Sequence, residues 1–368
     1  MIAQPRLPGL ARLVAARLPA EAWLGRPLTW LGLAIDATVV QAMRVVVDRA
    51  LMPDADALAR MLAAAEPYAT EALARDPASF FAFEPATLVP ARVATRERHA
   101  IAGGAVLRHR LEASLRPWAG PPWPDDAIRV EHWAHRRRPR AVVLALHGFV
   151  MGNPAIDSRV LFAGSWFRRG YDVALLTLPY HGRRTPGGAR FSGERFAAAD
   201  PAALNEAVRR AIWEIRLVAG WLRTRTDAEV GLLGLSLGGY LAALAAGLVD
   251  DLAFVVPMVP PVCFGDLAWR FYRASRQQGA APALTLDQLR RAYRVHSPLS
   301  HALRMPPERV LIVAGRGDRI VPPEHPHALW RHWGEPPIHW FSGGHLTPFG
   351  RRTIVEAVDR HLGRLPLG

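Results

Sequence analysis

The stretch GLLGLSLGG, residues 231–239, decides the fold of this chain. It contains the pentapeptide Gly-x-Ser-x-Gly, centred on Ser236, directly after a short apolar run and directly before a helix-like stretch, residues 240–246. This context is typical of a nucleophile elbow, a sharp strand-to-helix turn that exposes a serine hydroxyl. Glycines two residues before and two residues after the serine let the strand and the helix pack closely. Because a serine hydroxyl is a poor nucleophile on its own, a base and an oxyanion site must accompany it.

Uninterrupted apolar runs from residue 141 onward predict the buried strands of a parallel sheet. They are Ala141–Leu146, Val173–Leu176, Val230–Leu235, Ala253–Val256, Val310–Val313 and Ile338–Phe341. Helix signals lie between them, including the cap Asn153-Pro154 and the long stretch Ala203–Leu222. Two alternating segments, Val106–Leu111 and Ile128–Trp133, predict antiparallel strands before the parallel set. The chain is therefore predicted to be an α/β protein, with helices on both faces of a mostly parallel sheet.

The first parallel strand ends in Leu146-His147-Gly148-Phe149, which suggests an oxyanion hole. Gly148 permits a tight turn, after which a backbone N–H can face the nucleophile. The N–H groups of Phe149 and Leu237 are the predicted oxyanion pair. His147 is expected to brace the turn and not to act as the base. In the alternative interpretation, the His-Gly pair only ends the strand.

An acid and a base follow Ser236 in the order that the elbow requires. Asp318 lies on a turn after a predicted strand, and His345 lies on a glycine-flanked loop after the last one. A histidine can take the serine proton and return it near neutral pH, and a carboxylate orients and stabilises the imidazolium. Ser236, Asp318 and His345 are the predicted catalytic triad. Asp266 is a rival for the acid, and Asp318 could instead cap a turn or pair with its neighbouring arginine.

The order and spacing of these motifs resemble the α/β-hydrolase superfamily from about residue 105 to the C-terminus. A narrower resemblance rests on Leu178–Pro186, Gly234–Gly239 and Gly343–His345. These stretches are similar to motifs of the alpha/beta-hydrolase domain-containing protein 18 family, whose Pro-Tyr-Tyr-Gly-x-Arg loop has His181 as its third residue here. That family has been linked to lipid deacylation. The resemblance implies an α/β-hydrolase fold and hydrolysis of an acyl bond.

Together these residues predict a serine hydrolase that cleaves a carboxylic ester, of a lipid or of a small soluble molecule, through an acyl-enzyme. Thioesters and amides stay open as substrates, since the same groups cleave all three bonds. From another class, the alternative is a binding or scaffold protein that is non-catalytic or gated by its lid. No cofactor and no metal are expected, because no cluster of His, Cys and Asp has ligand spacing.

Candidate substrate contacts lie in two places. Arg183 and Arg184 follow the carboxyl end of a predicted strand, where ligands bind in such sheets, and they could hold a phosphate or a carboxylate. They could equally form a loop that is tied to carboxylates or backbone carbonyls. Residues 257–307 form a predicted helical lid insertion that is rich in aromatic residues and arginine. Trp269 is its candidate pocket residue, and packing of the insertion onto the domain is the other interpretation.

Residues 1–104 are predicted to form a helical N-terminal extension, and residues 105–368 the hydrolase domain with its lid. Apolar residues recur at helical spacing through Ala11–Leu18 and again through Ala57–Leu62. The most apolar segment, Leu28–Val47, contains Asp36 and Arg44, which argues against a membrane span. A helix packed on protein is predicted there, and a helix lying on a membrane surface is the alternative.

The charge and cysteine content constrain partners and location. All 46 basic residues are arginine, and with 32 acidic residues they give a net charge of +14. Codon bias in a GC-rich, bacterial genome is one explanation, and contact with an anionic phospholipid surface is the other. No nucleic-acid partner is expected, because no binding motif for one occurs. The single cysteine, Cys263, excludes an internal disulfide. A cytoplasmic location is predicted, with peripheral membrane contact through the N-terminal region as a further expectation.

Overall fold

The computed structural model describes residues 36, 55–120, 123, 127–196, 200–274, 285–347 and 351–367. The strands of these residues are β1 (Arg92–Ile101), β2 (Gly104–Glu112), β3 (Ile128–His135), β4 (Val142–Leu146), β5 (Asp172–Thr177), β6 (Val230–Leu235), β7 (Val255–Met258), β8 (Ile312–Gly315) and β9 (Ile338–Phe341). They form one sheet in the order β1-β2-β3-β5-β4-β6-β7-β8-β9. The pairs from β1 to β5 in this order are antiparallel, and the pairs from β5 to β9 are parallel. The predicted mostly parallel sheet is therefore confirmed.

Helices cover both faces of the sheet. They are α1 (Ala55–Ala64), α2 (Glu71–Arg75), α3 (Pro154–Val160), α4 (Ala163–Phe167), α5 (Pro201–Thr226), α6 (Leu237–Ala246), α7 (Phe264–Ala274), α8 (Leu286–Tyr293), α9 (Glu324–His332) and α10 (Arg351–Leu362). Alternate residues of β4 enter two separate apolar cores, since successive side chains of a strand point to opposite faces. One core contains α5 and α6, and the other contains α4 and α10.

Two strands begin later than the apolar runs indicate. The runs at Ala253 and Val310 were predicted to start strands, whereas β7 and β8 each begin two residues further on. Val310 makes an isolated parallel bridge to Val255, so this part of the sheet is irregular at its amino end. The predicted antiparallel segments are confirmed as β2 and β3, and the predicted helix at Asn153-Pro154 is confirmed as α3, with the Asn153 side chain accepting the Ala155 N–H.

The predicted domain boundary at residue 104 falls between two paired strands of the sheet, because the sheet already begins at Arg92. Strand β1 pairs antiparallel with β2 through a turn in which Gly103 adopts a φ of 84°. Its residues are mostly exposed on both faces, so the strand lacks the apolar alternation by which strands are recognised in a sequence. Residues 92–101 are thus extended and not helical.

The region before β1 packs directly on α5. Within the described residues it contains α1, which confirms the predicted helix at Ala57–Leu62, whereas the predicted helix at Ala11–Leu18 lies outside them. Tyr68 donates to Glu206 at 2.9 Å, and Trp213 donates to the Thr87 carbonyl at 3.0 Å. Phe80 and Phe81 belong to the same apolar core as α5. This region is therefore joined to the rest of the α/β domain by a shared core and by hydrogen bonds.

The predicted lid insertion starts after β7, which includes Pro257 and Met258, and it contains α7 and α8. It packs on α5 and α6, where the Phe264 ring lies 4.7 Å from that of Tyr240 and Asn205 donates to the Ala292 carbonyl at 2.9 Å. No helix of the described residues combines the length and apolarity needed to cross a membrane. Apart from Asp36, the segment Leu28–Val47 lies outside those residues.

Candidate active site

Ser236 occupies the turn between β6 and α6 and has a φ of 55°, which is uncommon for a residue other than glycine. The turn is this tight because glycines flank it. A Cβ on Gly234 would lie 2.0 Å from the Gly238 carbonyl oxygen, and a Cβ on Gly238 would lie 2.1 Å from the Leu146 carbonyl oxygen. The elbow is thus pressed against the end of β4, where no side chain fits between them.

A chain of hydrogen bonds joins the three residues of the predicted triad. Ser236 Oγ lies 2.8 Å from His345 Nε2, and His345 Nδ1 lies 2.6 Å from Asp318 Oδ2. The other carboxylate oxygen of Asp318 accepts the N–H groups of Ile320 at 3.0 Å and Val321 at 2.7 Å. These bonds fix the carboxylate so that Nδ1–H donates to it, which leaves the Nε2 lone pair for the serine proton. The geometry is that of a nucleophile, a base and an orienting acid.

The rival acid, Asp266, lies in the first turn of α7 and forms an ion pair with Arg290 of α8 at 2.8 Å. Its carboxylate therefore ties the two helices of the insertion together, and Asp318 is the acid that meets the imidazole.

Burial and charge act in opposite directions on His345. Burial lowers the pKa of the imidazole, whereas the carboxylates of Asp318 and Asp36 raise it, and the net result is a pKa above the ordinary 6.5. Two negative charges thus favour the imidazolium that forms when the ring takes up a proton.

His147 braces the turn after β4, as predicted. Its Nδ1–H donates to the Gly148 carbonyl at 2.8 Å, and its Nε2 accepts the Leu178 N–H at 3.1 Å. Burial lowers the pKa of His147 to about 3, so the ring is neutral. A Cβ on Gly148 would lie 3.7 Å from the Ser236 Cβ, so this turn adjoins the nucleophile.

The two predicted oxyanion donors flank this junction. Phe149 follows Gly148 on the braced turn, and Leu237 is the first residue of α6. The first N–H groups of a helix have no partner inside the helix, so the Leu237 N–H is open to an external acceptor.

The predicted role of Arg184 in substrate binding is wrong. Its side chain is fully buried and forms a bidentate ion pair with Glu214, with both N–O distances 2.7 Å. It also donates to the Thr177 carbonyl at 2.9 Å. The guanidinium therefore joins the loop after β5 to α5, because a buried charge must be paired to be tolerated.

Arg183 is exposed and lines a groove of about 230 Å³ along β1, β2 and β3. Four further arginines line the same groove: Arg96, Arg108, Arg110 and Arg129. The residues that line it include none of Ser236, Asp318 and His345. Trp269, on α7, is half-buried and packs against the core that contains α5 and α6. Within the described residues, no cluster of His, Cys, Asp and Glu could hold a metal ion.

The sequence reasoning missed one residue of the site, Asp36. Its side chain is 0% exposed, and its carboxylate accepts backbone N–H groups from the loops that carry Asp318 and His345. The signal that could have found it is the lone carboxylate in a strongly apolar segment, since a buried charge requires fixed partners.

Residues 126–264 match the model of the family described as Alpha/beta hydrolase domain containing 18. The matched stretch includes the turn after β4 and the elbow, and it ends before Asp318 and His345. Two uncharacterized proteins of Mycobacterium tuberculosis, one from strain CDC 1551 and one from strain H37Rv, are each 34% identical over 230 residues, which are 61% of this chain and 54% of the relative. The chain thus spans about half the length of these curated relatives.

Solved structures match over most of the chain. Acetyl xylan esterase 1 from Thermoanaerobacterium sp. JW/SL YS485 has a TM-score of 0.57 at 15% identity and covers 77% of this chain and 93% of its own. An acetyl xylan esterase from Paenibacillus sp. R4 has a TM-score of 0.56 at 16% identity, with coverage of 80% and 93%. The chain therefore carries the predicted α/β-hydrolase fold, and it resembles the Alpha/beta hydrolase domain containing 18 family.

Proposed function

We propose that this protein is a serine hydrolase that cleaves a carboxylic ester through an acyl-enzyme on Ser236. The observation that carries the proposal is the hydrogen-bond chain from Ser236 Oγ through His345 to Asp318, with distances of 2.8 and 2.6 Å. This series of hydrogen bonds begins at Ser236, on a strained elbow, and ends at the Asp318 carboxylate, which two backbone N–H groups fix. A serine that merely capped a helix would need neither the histidine beside it nor the Asp318 carboxylate behind that histidine.

In the acylation half, Ser236 Oγ attacks the acyl carbonyl carbon while its proton passes to His345 Nε2. The carbonyl oxygen becomes an oxyanion, for which the N–H groups of Phe149 and Leu237 are the proposed donors. The imidazolium is stabilised by Asp318. When the tetrahedral intermediate collapses, the bond to the alcohol oxygen breaks and the alcohol leaves with the proton from Nε2.

In the deacylation half, His345 Nε2 takes a proton from a water molecule whose oxygen attacks the acyl carbon. The second tetrahedral intermediate uses the same oxyanion donors, and its collapse returns the proton to Ser236 Oγ and releases the acid. The sum of the two halves is hydrolysis of one ester by one water. No step requires a cofactor.

Support for an ester, and not a thioester or an amide, comes from the two matched acetyl xylan esterases that share the fold. Acetyl xylan is the substrate in the names of those two proteins, and it is not proposed for this chain. The resemblance to a family linked to lipid deacylation supports a lipid ester for this chain, and a small soluble ester is the second candidate. The length of the acyl group that reacts fastest distinguishes the two.

The test is hydrolysis of p-nitrophenyl acetate, butyrate, octanoate and palmitate by the intact protein, beside Ser236→Ala and Ser158→Ala variants. Ser158 lies on α3, where its hydroxyl donates to the Ala155 carbonyl, so this variant controls for loss of a serine elsewhere. We expect kcat to fall about 10⁶-fold in Ser236→Ala and to be unchanged in Ser158→Ala. Equal activity in wild type and Ser236→Ala would contradict the proposal.

The same data test the non-catalytic alternative. A folded wild-type protein that hydrolyses none of the four esters, and no corresponding thioester or anilide, would favour a binding or scaffold protein with the same fold. The unbroken triad argues for turnover, because its short hydrogen bonds serve a proton transfer.

A further inference from the structure

Asp36 holds the backbone of both loops that carry the partners of Ser236. One carboxylate oxygen, Oδ2, accepts the N–H of His345 at 2.5 Å and the N–H of Arg319 at 3.1 Å. The other oxygen, Oδ1, accepts the N–H of Leu346 at 3.2 Å. Arg319 directly follows Asp318, so one side chain bridges the acid and the base at the level of the main chain.

The loop sequence is adapted to this carboxylate. Gly344 lies against it so closely that a Cβ would be 2.5 Å from Oδ2 and 2.6 Å from Cγ. Any other residue at this position would displace Asp36 or the loop. The glycine before His345 is therefore required by its contact with Asp36.

We infer that Asp36 is a positioning residue: its carboxylate fixes the loops of Asp318 and His345 relative to each other, and thereby sets the distance from the imidazole to Ser236. This inference rests on the proposed function, because it assigns Asp36 a role in that reaction.

A carboxylate suits the role for two reasons. Both of its oxygens accept hydrogen bonds, so it can satisfy three buried N–H groups, and bonds to a charged acceptor are stronger than neutral ones. It also adds a second negative charge near the ring. Among the residues that the structure describes, Asp318 and Ser236 contact the imidazole of His345, and Asp36 lies behind its loop. Loss of Asp36 should therefore lower the pKa of His345 as well as loosen its loop.

Through Asp36, the N-terminal region consequently contributes a positioning group to the active site. The backbone bonds from Arg316 N–H to the Phe341 carbonyl and from Gly317 N–H to the Gly343 carbonyl join the two loops where they leave the sheet. Asp36 joins them further out, next to the reacting groups. Removal of the region that contains Asp36 would release this outer connection.

The experiment compares Asp36→Asn and Gly344→Ala with a matched control, Asp172→Asn, in the full chain. Asp172 is also a buried carboxylate with three hydrogen bonds, from His132 Nε2, His135 N–H and His135 Nδ1 at 2.8–2.9 Å. It lies at the amino end of β5, whereas Ser236, Asp318 and His345 follow the carboxyl ends of their strands. The control thus reproduces the loss of a buried carboxylate away from the reacting groups.

Two readouts are taken on each folded variant. The first is the rate of labelling by a fluorophosphonate across pH. The second is the titration of His345 by NMR with labelled histidine, assigned with His345→Ala. We expect Asp36→Asn and Gly344→Ala to label roughly ten- to a hundredfold more slowly, as for a small misplacement of a reacting group. In Asp36→Asn the acid limb of the rate and the His345 titration should both move to lower pH. Asp172→Asn should retain both at their wild-type positions.

A wild-type labelling rate together with a wild-type His345 titration in Asp36→Asn would overturn the inference and leave the proposed function intact. The inference would also be overturned if Asp36→Asn and Asp172→Asn were both labelled slowly while the pKa of His345 stayed at its wild-type value. That result would indicate a general loosening of the fold. If wild type is not labelled at all, the proposed function fails. In that case the role of Asp36 in the reaction falls with the proposed function, and a titration shift in Asp36→Asn alone would show only that the carboxylate acts on the charge of His345.

Discussion

His345 meets two buried carboxylates, one from the C-terminal half of the sheet and one from the N-terminal region. Asp318 contacts the imidazole ring itself, at 2.6 Å from Nδ1. Asp36 contacts the main chain on either side of that ring, through the N–H groups of His345, Leu346 and Arg319. The first carboxylate therefore controls which nitrogen of the ring carries the proton, and the second controls where the ring lies. Removing the Asp318 carboxylate should therefore impair proton transfer by His345, and removing the Asp36 carboxylate should displace the His345 ring.

Of the two carboxylates, Asp318 should show the larger effect when it is changed to asparagine. An amide at this position no longer stabilises the imidazolium and permits the wrong tautomer, so kcat for a p-nitrophenyl ester should fall about 10⁴-fold. Asp36→Asn should lose far less, because the ring keeps its own acceptor. Steady-state kinetics of the two variants side by side measure the difference. Equal losses would show that the distinction between chemistry and placement is wrong.

A second contrast concerns two neighbouring arginines. Arg184→Ala should lower the free energy of unfolding by about 3 kcal/mol, because the buried Glu214 carboxylate then loses its bidentate partner and keeps the ion pair with Arg210. Arg183→Ala should change it by less than about 0.5 kcal/mol, since its side chain is exposed. Chemical denaturation measures both. A comparable cost for the two variants would refute the structural role given to Arg184.

Within the N-terminal region, most contacts should contribute to stability and not to rate. Tyr68→Phe removes the buried hydrogen bond to Glu206 and should cost about 1 kcal/mol of unfolding free energy. The Glu206 carboxylate keeps the N–H groups of Trp118 and Ala119. The kcat of this variant should equal that of wild type. A fall in kcat like that of Asp36→Asn would mean that the whole region, and not Asp36, positions the loops.

The smallest expected effect is a shift in the pH at which kcat/KM of the wild-type protein falls on the acid side. His345 must be neutral to take the serine proton, so activity is present above its pKa and is lost as the pH falls below it. Because the net effect of burial and of the two carboxylates raises that pKa, the midpoint of kcat/KM should lie above pH 6.5. A pH profile with a midpoint at or below 6.5 would contradict the electrostatic part of this account.

Much of the fold and of the triad could be predicted, because their signals are local in the sequence. Buried parallel strands form apolar runs, and the elbow, the acid turn and the histidine loop each follow such a run. Glycines at Gly234, Gly238 and Gly344 mark close approaches that the structure then reveals. The position of β1 was not predictable in this way, since a strand exposed on both faces shows no apolar alternation.

The partners of buried charges could not be predicted, because they depend on contacts between distant parts of the chain. Arg183 and Arg184 are adjacent and chemically identical, yet one is exposed and the other is enclosed with Glu214. Asp36 was interpreted only as an obstacle to a membrane span. Its role follows from the three N–H groups that the fold brings to it, and no pattern within its own segment specifies them.

The central claim is that Ser236 is the nucleophile of an acyl transfer, and covalent labelling tests it most directly. The intact protein would be treated with a fluorophosphonate, and the modified peptide identified by mass spectrometry, beside Ser236→Ala and His345→Ala. The account predicts a single adduct on Ser236 that is absent in Ser236→Ala and strongly slowed in His345→Ala. An adduct on another residue, or no adduct on a folded wild-type protein, would contradict it.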